Sequence, residues 1–471
     1  MKKTKIIATL GPSSSSKDII TEMAKSGMNV ARINMSHGNH EVHKSNIDIV
    51  KQVRTELDMS IAILADTRGP EIRLKKFTND SAIVNAGDRF TLKYEEVLGD
   101  STMASITYND LYLYLNIGDM MLFCDGLVKM QVIGIDGKDI NLIVVVGGVL
   151  SNNKSINVPG VDINLPYLSD VDKEDIKFAI SEDCDFVAAS FVSTVDDIMS
   201  LRAFMNENGG KDIDIIAKIE SSKGVDNLDA IMEHCEGIMI ARGDLGVEIP
   251  YERLPQLQKS IVKKARDKGK RVIVATEMLE SMIQNPRPTR AETSDVANAV
   301  YDGTSAVMLS GETAAGKHPI KAVKIMSDIV EYTEQNIHYR KRFMNQDFKI
   351  QNIADSISSI AVKASYDINA DAIIVVTETG SSPRMVSRFR PICPIYAVAH
   401  RRKSYYKLAL SWGVIPIYKE DADTVAELFK DSANICRERG YLVQGNKYIL
   451  VASTDVGKSG STNILKIDEV K

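Results

Sequence analysis

An apolar run near the middle of the chain, Ile-Ile-Ala-Lys-Ile-Glu, contains two charged residues, Lys218 and Glu220. The run has the composition of a buried strand. Because side chains alternate between the two faces of a strand, Lys218 and Glu220 point to the same side at its carboxyl end. Burying an ammonium beside a carboxylate is costly, which favours a functional site there. A structural ion pair at the end of a strand is the alternative.

Five further apolar runs in the first 310 residues end in residues that bind phosphate, metal ions or protons. Polar groups gathered at the carboxyl ends of many parallel strands are typical of enzymes built on a parallel barrel. The sequence therefore predicts a catalytic protein. The five ends are Arg32-Ile-Asn34-Met-Ser36-His37, Asp66-Thr67-Arg68-Gly69, Ala241-Arg242-Gly243-Asp244, Thr276-Glu277 and Ser310-Gly311-Glu312-Thr313.

Two cation sites are predicted at these strand ends. Glu220 and Asp244 follow successive strands, and two carboxylates make an open oxygen-ligand site for Mg²⁺ or Mn²⁺. A second cluster carries only one formal charge, which suits a monovalent cation; ordinary capping and turn residues are the alternative. Arg32 and Arg73 flank that cluster and can hold a phosphate group with two hydrogen bonds each. The cluster consists of Asn34, Ser36, Asp66 and Thr67.

Three histidines follow the second predicted strand in the run His37-Gly-Asn-His40-Glu-Val-His43. Positions i, i+3 and i+6 spread three side chains too far round one helix for tetrahedral zinc ligation. We therefore favour His37 as a ligand contact at the start of a helix. His40 and His43 are interpreted as surface residues.

Composition excludes several classes of protein. The chain has 471 residues, enough for two or three domains with their own cores. Its formal net charge of −5, with both signs mixed, indicates neither a nucleic-acid partner nor a membrane surface. No stretch approaches the roughly 20 apolar residues of a transmembrane helix. The five cysteines are scattered without metal-binding spacing, which is typical of a reducing compartment, so we expect a cytoplasmic protein.

The order of predicted elements indicates an α/β protein with three structural units. Strand and helix patterns alternate over residues 1–70 and 168–345, and the eight strands there favour a complete (β/α)8 TIM barrel over an open sheet. Residues 71–167 show short alternating runs separated by Gly-Asp and Asp-Gly turns, which predicts a small antiparallel β-barrel domain inserted into the TIM barrel. Residues 346–471 predict a C-terminal α/β domain.

A polar loop in the predicted C-terminal domain follows a buried strand and opens a helix near Pro383. Hydroxyl groups and free backbone amides at a first helical turn make a phosphate pocket. An ordinary loop with a helix N-cap is the alternative. The hydroxyl-bearing residues of this loop are Thr377, Thr379, Ser381 and Ser382.

The motifs described above, in their order along the chain, resemble those of the pyruvate kinase family. The resemblance covers essentially the whole chain and does not depend on any single motif. The segments that carry it are Thr4-Lys-Ile-Ile-Ala-Thr-Leu-Gly-Pro-Ser13, Ala31-Arg-Ile-Asn-Met-Ser-His-Gly38, Asp66-Thr-Arg-Gly-Pro-Glu-Ile-Arg73, Ile216-Ala-Lys-Ile-Glu-Ser221, Ala241-Arg-Gly-Asp-Leu-Gly-Val-Glu-Ile-Pro250, Thr276-Glu-Met-Leu-Glu-Ser-Met282, Asn285-Pro-Arg-Pro-Thr-Arg-Ala-Glu292 and Met308-Leu-Ser-Gly-Glu-Thr-Ala314.

The resemblance implies transfer of the phosphoryl group of phosphoenolpyruvate to ADP, with the inserted domain acting as a lid. By the family pattern, Lys218 stabilises charge on the transferring group, while Glu220 and Asp244 hold Mg²⁺ or Mn²⁺. Gly243 and Asp244 offer backbone amides to the substrate carboxylate. Thr276 lies beside them and is the candidate for protonating the enolate, through water and Ser310.

The same pattern implies a K⁺ site and a nucleotide site. Arg32 and Arg73 are expected on the substrate phosphate. Glu71 accompanies K⁺ dependence in this family, so we expect activation by K⁺. The K⁺ site is assigned to Asn34, Ser36, Asp66 and Thr67, and the nucleotide site to Asn34, His37, Arg73 and Lys154.

The C-terminal part resembles the family's effector domain, which implies a sugar-phosphate or nucleotide effector bound by Thr377, Thr379, Ser381 and Ser382. Homotetramers are usual in the family, and we expect one here. Two other interpretations stay open. One is a barrel lyase or aldolase that uses Lys218 as a Schiff base, and the other is a non-catalytic sensor of phosphorylated metabolites.

Overall fold

The first part of the chain supplies three strands of a parallel barrel. The computed structural model describes residues 2–163, 165–419, 425–453 and 462–471. The three strands are apolar and buried almost throughout, as expected for a parallel sheet covered on both faces. Ser16 and Asn39 cap the helices by accepting a backbone N–H bond three residues further on. The elements are β1 (Lys5–Thr9), α1 (Lys17–Ser26), β2 (Val30–Asn34), α2 (His40–Glu56) and β3 (Ala62–Asp66).

The next segment forms a separate sheet, ordered β4-β12-β8-β9-β10-β6-β7, with a two-stranded ribbon of β5 and β11 beside it. An antiparallel bridge between Leu74 and Ile106 connects its two edge strands, which gives the sheet a barrel-like closure. One feature differs from the antiparallel prediction: β6 and β7 pair in parallel, because residues 94–102 cross back along the sheet. The strands are β4 (Ile72–Arg73), β5 (Ser81–Val84), β6 (Arg89–Lys93), β7 (Met103–Ser105), β8 (Met120–Phe123), β9 (Val128–Asp136), β10 (Asp139–Val146), β11 (Gly148–Ser151) and β12 (Ser155–Asn157), with a 3₁₀ helix at Asn109–Leu113.

The barrel resumes after the insertion and closes on its first strand. Its strand order is β1-β17-β16-β15-β14-β13-β3-β2, and every neighbouring pair is parallel. The predicted (β/α)8 barrel is therefore confirmed. The remaining elements are α3 (Asp170–Ser181), β13 (Phe186–Ala189), α4 (Val195–Glu207), β14 (Asp214–Ile219), α5 (Ser222–Asp226), α6 (Leu228–Glu233), β15 (Gly237–Ala241), α7 (Arg242–Glu248), α8 (Leu254–Asp267), β16 (Arg271–Ala275), α9 (Arg290–Asp302), β17 (Ala306–Leu309), α10 (Gly311–Ala314), α11 (Pro319–Gln335) and α12 (Tyr339–Met344), with 3₁₀ helices at Tyr251–Arg253 and Glu280–Ile283.

The C-terminal part is an α/β unit built on a five-stranded sheet, ordered β20-β19-β18-β21-β22. Three of its strand pairs are parallel, and β21 pairs antiparallel with β22. Its elements are α13 (Ile353–Asp367), β18 (Ala372–Thr377), α14 (Ser381–Arg388), β19 (Ile395–Ala399), α15 (Arg402–Lys407), β20 (Val414–Tyr418), α16 (Val425–Glu438), β21 (Lys447–Ala452) and β22 (Ile464–Glu469), with a 3₁₀ helix at Leu408–Leu410.

The C-terminal unit covers the amino-terminal end of the barrel. Ala409 and Leu410 belong to the same buried cluster as the apolar side chains of the barrel interior. Lys5, at the start of β1, donates from Nζ to the carbonyl oxygen of Val414 at 2.7 Å. Because that end is covered, the carboxyl ends of the strands are the end of the barrel left for a binding site.

Candidate active site

Lys218 lies at the carboxyl end of β14 among oxygen atoms from three strand ends. Its Nζ is 3.0 Å from Glu220 Oε1 and 3.1 Å from Asp66 Oδ1, and it donates to Ser190 Oγ at 2.7 Å. Burial alone lowers a lysine pKa, but the two carboxylates outweigh it and raise the pKa of Lys218 above its ordinary value. The side chain is therefore a fixed buried cation, as the strand alternation predicted.

Glu220 has one oxygen that the protein leaves without a hydrogen bond. The backbone N–H of Phe191 donates to Oε2 at 2.6 Å. Oε1 is buried and accepts no hydrogen bond of good geometry from the described residues, although Lys218 Nζ lies near it. The pKa of Glu220 is raised to about 7, chiefly by burial; Lys218 opposes this rise and the negative charge of Asp244 contributes to it. The Glu220 and Asp244 carboxylates are therefore close enough for their charges to interact.

These carboxylates fit a divalent cation. Asp244 lies in the first turn of α7 and is half-buried. Hard oxygen ligands are what Mg²⁺ and Mn²⁺ prefer, and an orphaned buried carboxylate oxygen needs a positive partner. Within the described ranges no group of three or more His, Cys, Asp or Glu side chains is arranged to hold a metal. The pair Glu220 and Asp244 therefore makes an open site rather than an all-protein cage.

Thr276 follows β16 in a strained conformation. Its φ is +68°, and Glu277 has φ +52°; a left-handed conformation is costly for a β-branched residue. Thr276 Oγ1 donates to the carbonyl oxygen of Ala275 at 2.6 Å and accepts from the N–H of Gly243 at 2.7 Å. The Gly243 amide, predicted to face a substrate carboxylate, is thus used by Thr276.

Arg242 holds this turn in place, a role that the sequence did not reveal. Its Nη2 donates to the carbonyl oxygen of Thr276 at 2.7 Å, and its Nη1 lies 2.7 Å from Asp295.

Ser190 was also not identified from the sequence as a residue of the site. Its Oγ contacts Lys218 and donates to the carbonyl oxygen of Thr67 at 2.7 Å. The sequence did carry a signal for it, because Ser190 directly follows the apolar run Phe186–Ala189, which forms β13.

The residues of the predicted monovalent-cation cluster lie at or just after the ends of β2 and β3. The strand register places Asn34 beside Asp66, and Asn34 Oδ1 accepts from the N–H of Ser36 at 3.2 Å. Burial alone raises the pKa of Asp66, but Arg32 and Lys218 outweigh it and lower the pKa. Both the hydroxyl and the carbonyl oxygen of Thr67 already have hydrogen-bond partners on or after β13.

Arg32 is oriented within this cluster. Its Nε donates to Asp66 Oδ2 at 2.6 Å and its Nη1 to Thr9 Oγ1 at 3.0 Å. These bonds leave part of the guanidinium group for a ligand, because arginine has five N–H donors. The phosphate contact at Arg32 stays a prediction.

His37 lies where several cations converge. It is in the loop before α2, whose N-cap is Asn39, so it precedes the helix rather than starting it. Burial lowers its pKa, and Arg73, Arg32 and Lys154 lower it further. Arg73 Nε donates to Glu71 Oε2 at 2.9 Å. Positive charge gathered around an exposed histidine is a suitable environment for phosphate groups.

Comparison with known proteins agrees with this geometry. The family model described as pyruvate kinase, barrel domain, matches residues 1–323, and the one described as pyruvate kinase, alpha/beta domain, matches residues 355–468.

The chain belongs to the pyruvate kinase family.

Pyruvate kinases from two clostridia match over full length. The protein of Clostridium acetobutylicum is 45% identical over 473 residues, covering 100% of both chains. That of Clostridium perfringens is 42% identical over 474 residues, again covering 100% of both. The pyruvate kinase of Sporosarcina psychrophila is 42% identical over 470 residues, covering 99% of this chain and 80% of its own. Membership of the pyruvate kinase family identifies the protein as a phosphotransferase.

Arg68, which follows β3, forms an ion pair with a buried carboxylate. Its Nε donates to Asp175 Oδ2 at 2.9 Å, and His40 Nε2 lies 2.7 Å from Oδ1 of the same carboxylate. His40 also stacks on Phe178. The interpretation of His40 and His43 as surface residues was wrong for His43, which is buried. The reason is that Phe178 of α3 lies against this face of α2.

The C-terminal loop predicted to bind phosphate has a defined turn. Thr377 Oγ1 accepts from the N–H of Gly380 at 2.9 Å, and Gly380 has φ +83°, which favours glycine. Ser381 begins α14, and Ser382 Oγ lies 2.5 Å from Thr462 Oγ1. Thr379 lies in the same turn.

No helix in the described ranges is both long and apolar enough to cross a membrane.

Proposed function

We propose that this member of the pyruvate kinase family transfers the phosphoryl group of phosphoenolpyruvate to ADP, with Mg²⁺ or Mn²⁺ and K⁺ as cofactors. The observation that carries the proposal is the buried set of Lys218, Asp66, Glu220 and Ser190 at neighbouring strand ends. Phosphoryl transfer needs positioning and charge neutralisation rather than covalent participation of the protein. A fixed buried cation beside an open carboxylate pair meets that need.

Lys218 acts as a permanent positive charge towards the transferring phosphoryl group. Its raised pKa keeps the ammonium protonated at physiological pH, and a protonated amine is not a nucleophile. This argues against a Schiff-base enzyme. Arg32, which donates to Asp66, would bind the phosphate oxygens of the substrate from a second side.

Glu220 and Asp244 would hold the divalent cation. The remaining coordination positions of that cation would accept substrate oxygens. A cation bound there supplies Lewis-acid neutralisation of the negative charge that develops on the substrate. Without a bound cation, a pKa of about 7 would leave the Glu220 carboxyl partly protonated near neutral pH. Metal binding at this carboxylate therefore releases a proton and weakens as the pH falls.

Proton delivery to the enolate is assigned to hydroxyl groups. Thr276 Oγ1 is fixed by Gly243 and Ala275, and Arg242 holds the strained turn. Ser310, at the end of β17, has a buried Oγ without a hydrogen-bond partner in the described part of the chain. Thr276, with water and Ser310, forms the relay that we propose, since an unaided hydroxyl is a weak acid.

The nucleotide phosphates are assigned to His37 and to the cations Arg73 and Lys154 that act on it, with Asn34 as a neutral hydrogen-bonding group. Lys154 belongs to the inserted segment, and its side chain is exposed. Closure of that segment over the barrel would bring its charge towards the nucleotide and exclude water.

Pyruvate release from phosphoenolpyruvate, followed with coupled lactate dehydrogenase, tests the proposal. Turnover is expected only when ADP and Mg²⁺ are both present. Folded protein that binds phosphoenolpyruvate without releasing pyruvate would contradict the kinase and support a metabolite sensor. Turnover that proceeds equally without ADP would indicate hydrolysis or a lyase.

The K⁺ proposal predicts that activity rises when K⁺ replaces Na⁺ or Tris in the same assay. Burial raises the pKa of Glu71, and the charges of Arg73, Asp244 and Lys218 also act on it, so Glu71 lies near the reaction centre, where a lysine side chain would supply a fixed positive charge. We expect Glu71→Lys to lose most of its K⁺ dependence, while the wild type keeps it. Equal activity of the wild type in all three buffers would refute the assignment of Asn34, Ser36, Asp66 and Thr67.

We further propose that the loop of Thr377, Thr379, Ser381 and Ser382 binds a phosphorylated effector. A negative charge introduced at the start of α14 should repel it. We expect Ser381→Asp to raise the half-activating concentration of a sugar phosphate or nucleotide at least about tenfold. The measurement is a titration of activity at sub-saturating phosphoenolpyruvate; an unchanged titration would remove the loop from the effector site.

A cytoplasmic homotetramer remains our proposal for compartment and assembly. All five cysteines are free thiols and buried, which agrees with a reducing compartment. Light scattering coupled to gel filtration measures the assembly directly, and a monomer mass near 52 kDa would contradict a tetramer.

A further inference from the structure

A single peptide group, the one between Ser190 and Phe191, is held from both sides beside the reaction centre. Its N–H, on Phe191, donates to Glu220 Oε2 at 2.6 Å. Its carbonyl oxygen, on Ser190, accepts from the Tyr167 hydroxyl group at 3.1 Å. The C=O and N–H of a trans peptide lie in one plane and point in opposite directions. Each of the two hydrogen bonds therefore fixes the orientation that the other one needs.

The backbone is strained in this orientation. Phe191 has a φ of +54°, in the left-handed range that is uncommon for residues other than glycine. Turning the peptide plane over would bring the φ of Phe191 to a negative value and remove the strain. It would also break both hydrogen bonds and direct the Ser190 carbonyl oxygen towards the Glu220 carboxylate. The two hydrogen bonds therefore hold the peptide against a conformation that the backbone alone prefers.

Tyr167 is well suited to donate one of these hydrogen bonds. It lies in the connection that leads from the inserted segment back to the barrel, between β12 and α3, and it packs against the apolar core of the barrel. Burial raises the pKa of Tyr167 well above its ordinary value, and the charges of Asp197 and Asp172 raise it further. The hydroxyl group therefore keeps its proton and donates to the Ser190 carbonyl oxygen.

The other connection to the inserted segment contacts the same peptide. Gly69 has a φ of +75°, and its N–H donates to Asp172 Oδ1 at 3.0 Å. A Cβ atom on Gly69 would lie 2.8 Å from Ser190 Cβ and 3.1 Å from the Ser190 carbonyl oxygen, too close for a side chain. Both connections between the barrel and the inserted segment therefore meet at Ser190.

The orientation of the peptide decides which oxygen of Glu220 is left for a ligand. Oε2 accepts the Phe191 N–H, whereas Oε1 is buried and has no hydrogen-bond partner in the described part of the chain. A carboxylate that is fixed through one oxygen presents the other in a constant direction, which favours cation binding. A hydrogen bond to the Ser190 carbonyl also polarises the peptide and makes its N–H a stronger donor.

We propose that Tyr167 is a positioning residue of the divalent-cation site, because its hydroxyl group holds the Ser190–Phe191 peptide in the orientation that directs the N–H at Glu220. This inference rests on the proposed function, which assigns the cation to Glu220 and Asp244. Tyr167 acts through the peptide and is not a ligand of the cation. The cation site thereby depends on the connection that returns from the inserted segment.

The affinity of the full-length protein for Mn²⁺, measured by electron paramagnetic resonance without substrates, tests the inference. Tyr167→Phe should weaken Mn²⁺ binding about two- to tenfold, the effect of losing one hydrogen bond. Tyr366→Phe is the matched control, because it removes a hydroxyl group that donates to the carbonyl oxygen of Arg390 in the C-terminal unit. The control should bind Mn²⁺ as the wild type does. Equal losses in the two variants would indicate general destabilisation and overturn the inference.

A second substitution distinguishes the orientation of the peptide from a general loss of packing. Glycine adopts a positive φ without strain, so Phe191→Gly should let the peptide keep its orientation without the Tyr167 hydroxyl group. The variant that carries both Tyr167→Phe and Phe191→Gly should therefore bind Mn²⁺ more tightly than Tyr167→Phe alone. A purely structural role predicts that the two losses add. Binding by the double variant that is no tighter than that of Tyr167→Phe would contradict the proposed role.

Glu220→Gln separates a failure of this inference from a failure of the proposed function. If Glu220→Gln weakens Mn²⁺ binding and Tyr167→Phe does not, Tyr167 is not a positioning residue and the assignment of the cation stands. If neither substitution changes the affinity, the assignment of the cation to Glu220 fails together with the role of Tyr167.

Discussion

Lys218→Met should lower kcat for pyruvate formation at least about 10³-fold, the scale seen when a buried charge that stabilises a phosphoryl-transfer transition state is removed. The Nζ of Lys218 is fixed by Glu220, Asp66 and Ser190, so no other lysine can take its place without rebuilding three strand ends. The lactate dehydrogenase-coupled assay at saturating substrates measures the change.

A matched control variant distinguishes the loss of a catalytic group from the general effect of removing one positive charge. Lys223 is only five residues further along the chain, and its Nζ is 2.7 Å from Asp162 in an exposed pair. Such surface pairs contribute little, so Lys223→Met should keep activity within about twofold. Lys218→Met also leaves buried carboxylates with one cation fewer, and its unfolding midpoint must therefore be recorded. A folded Lys218→Met enzyme with more than a tenth of wild-type kcat would contradict the assigned role.

Glu220→Gln should weaken Mn²⁺ binding at least about 100-fold, since even residues that merely support metal ligands cost 10–100-fold when changed. Electron paramagnetic resonance of free Mn²⁺ gives the affinity without any need for turnover. Glu233→Gln, at the end of α6 and paired with Lys268 at the surface, is the control and should bind Mn²⁺ normally. Unchanged Mn²⁺ affinity in Glu220→Gln would place the metal elsewhere.

The stability of Glu220→Gln relative to the wild type should also change with pH, in a direction that the pKa of Glu220 determines. Burial raises the pKa of Glu220 from 4.5 to about 7, so the native state without metal prefers the protonated carboxyl. The corresponding stability is present below pH 4.5 and is lost as the pH rises through about 7. At 1.36 kcal/mol per pH unit, the loss is roughly 3 kcal/mol. Metal-free Glu220→Gln should therefore be more stable than the wild type above pH 7, and the advantage should vanish near pH 4.

Strand alternation was sufficient to predict the centre of the site. The placement of Lys218 beside Glu220 follows from the two-residue period of a strand, and the proximity of Asn34 to Asp66 follows from parallel strands ending at one edge. The eight-stranded barrel followed from counting apolar runs. These features depend on local pattern, which the sequence carries directly.

Features that depend on distant packing could not be predicted in the same way. His43 is buried because Phe178 of α3, more than a hundred residues further along, lies against it. The parallel pairing of β6 and β7 depends on the path of the intervening segment. The hydrogen bond from Arg242 to the carbonyl oxygen of Thr276 connects the ends of two strands through a long side chain. The spacing of residues in the sequence does not predict a contact of this kind.

The pairing of β1 with β17 has a consequence for synthesis of the chain on the ribosome. Lys5 pairs with Ala306. The ribosome must therefore add some 300 residues after β1 before β17, the second neighbour of β1, has been synthesised. At 5–20 residues per second this wait lasts about 15–60 seconds. During that time the unpaired edge of β1 can pair with other chains. We therefore expect nascent chains that end before β17 to be bound by chaperones, and release to follow translation of Leu309.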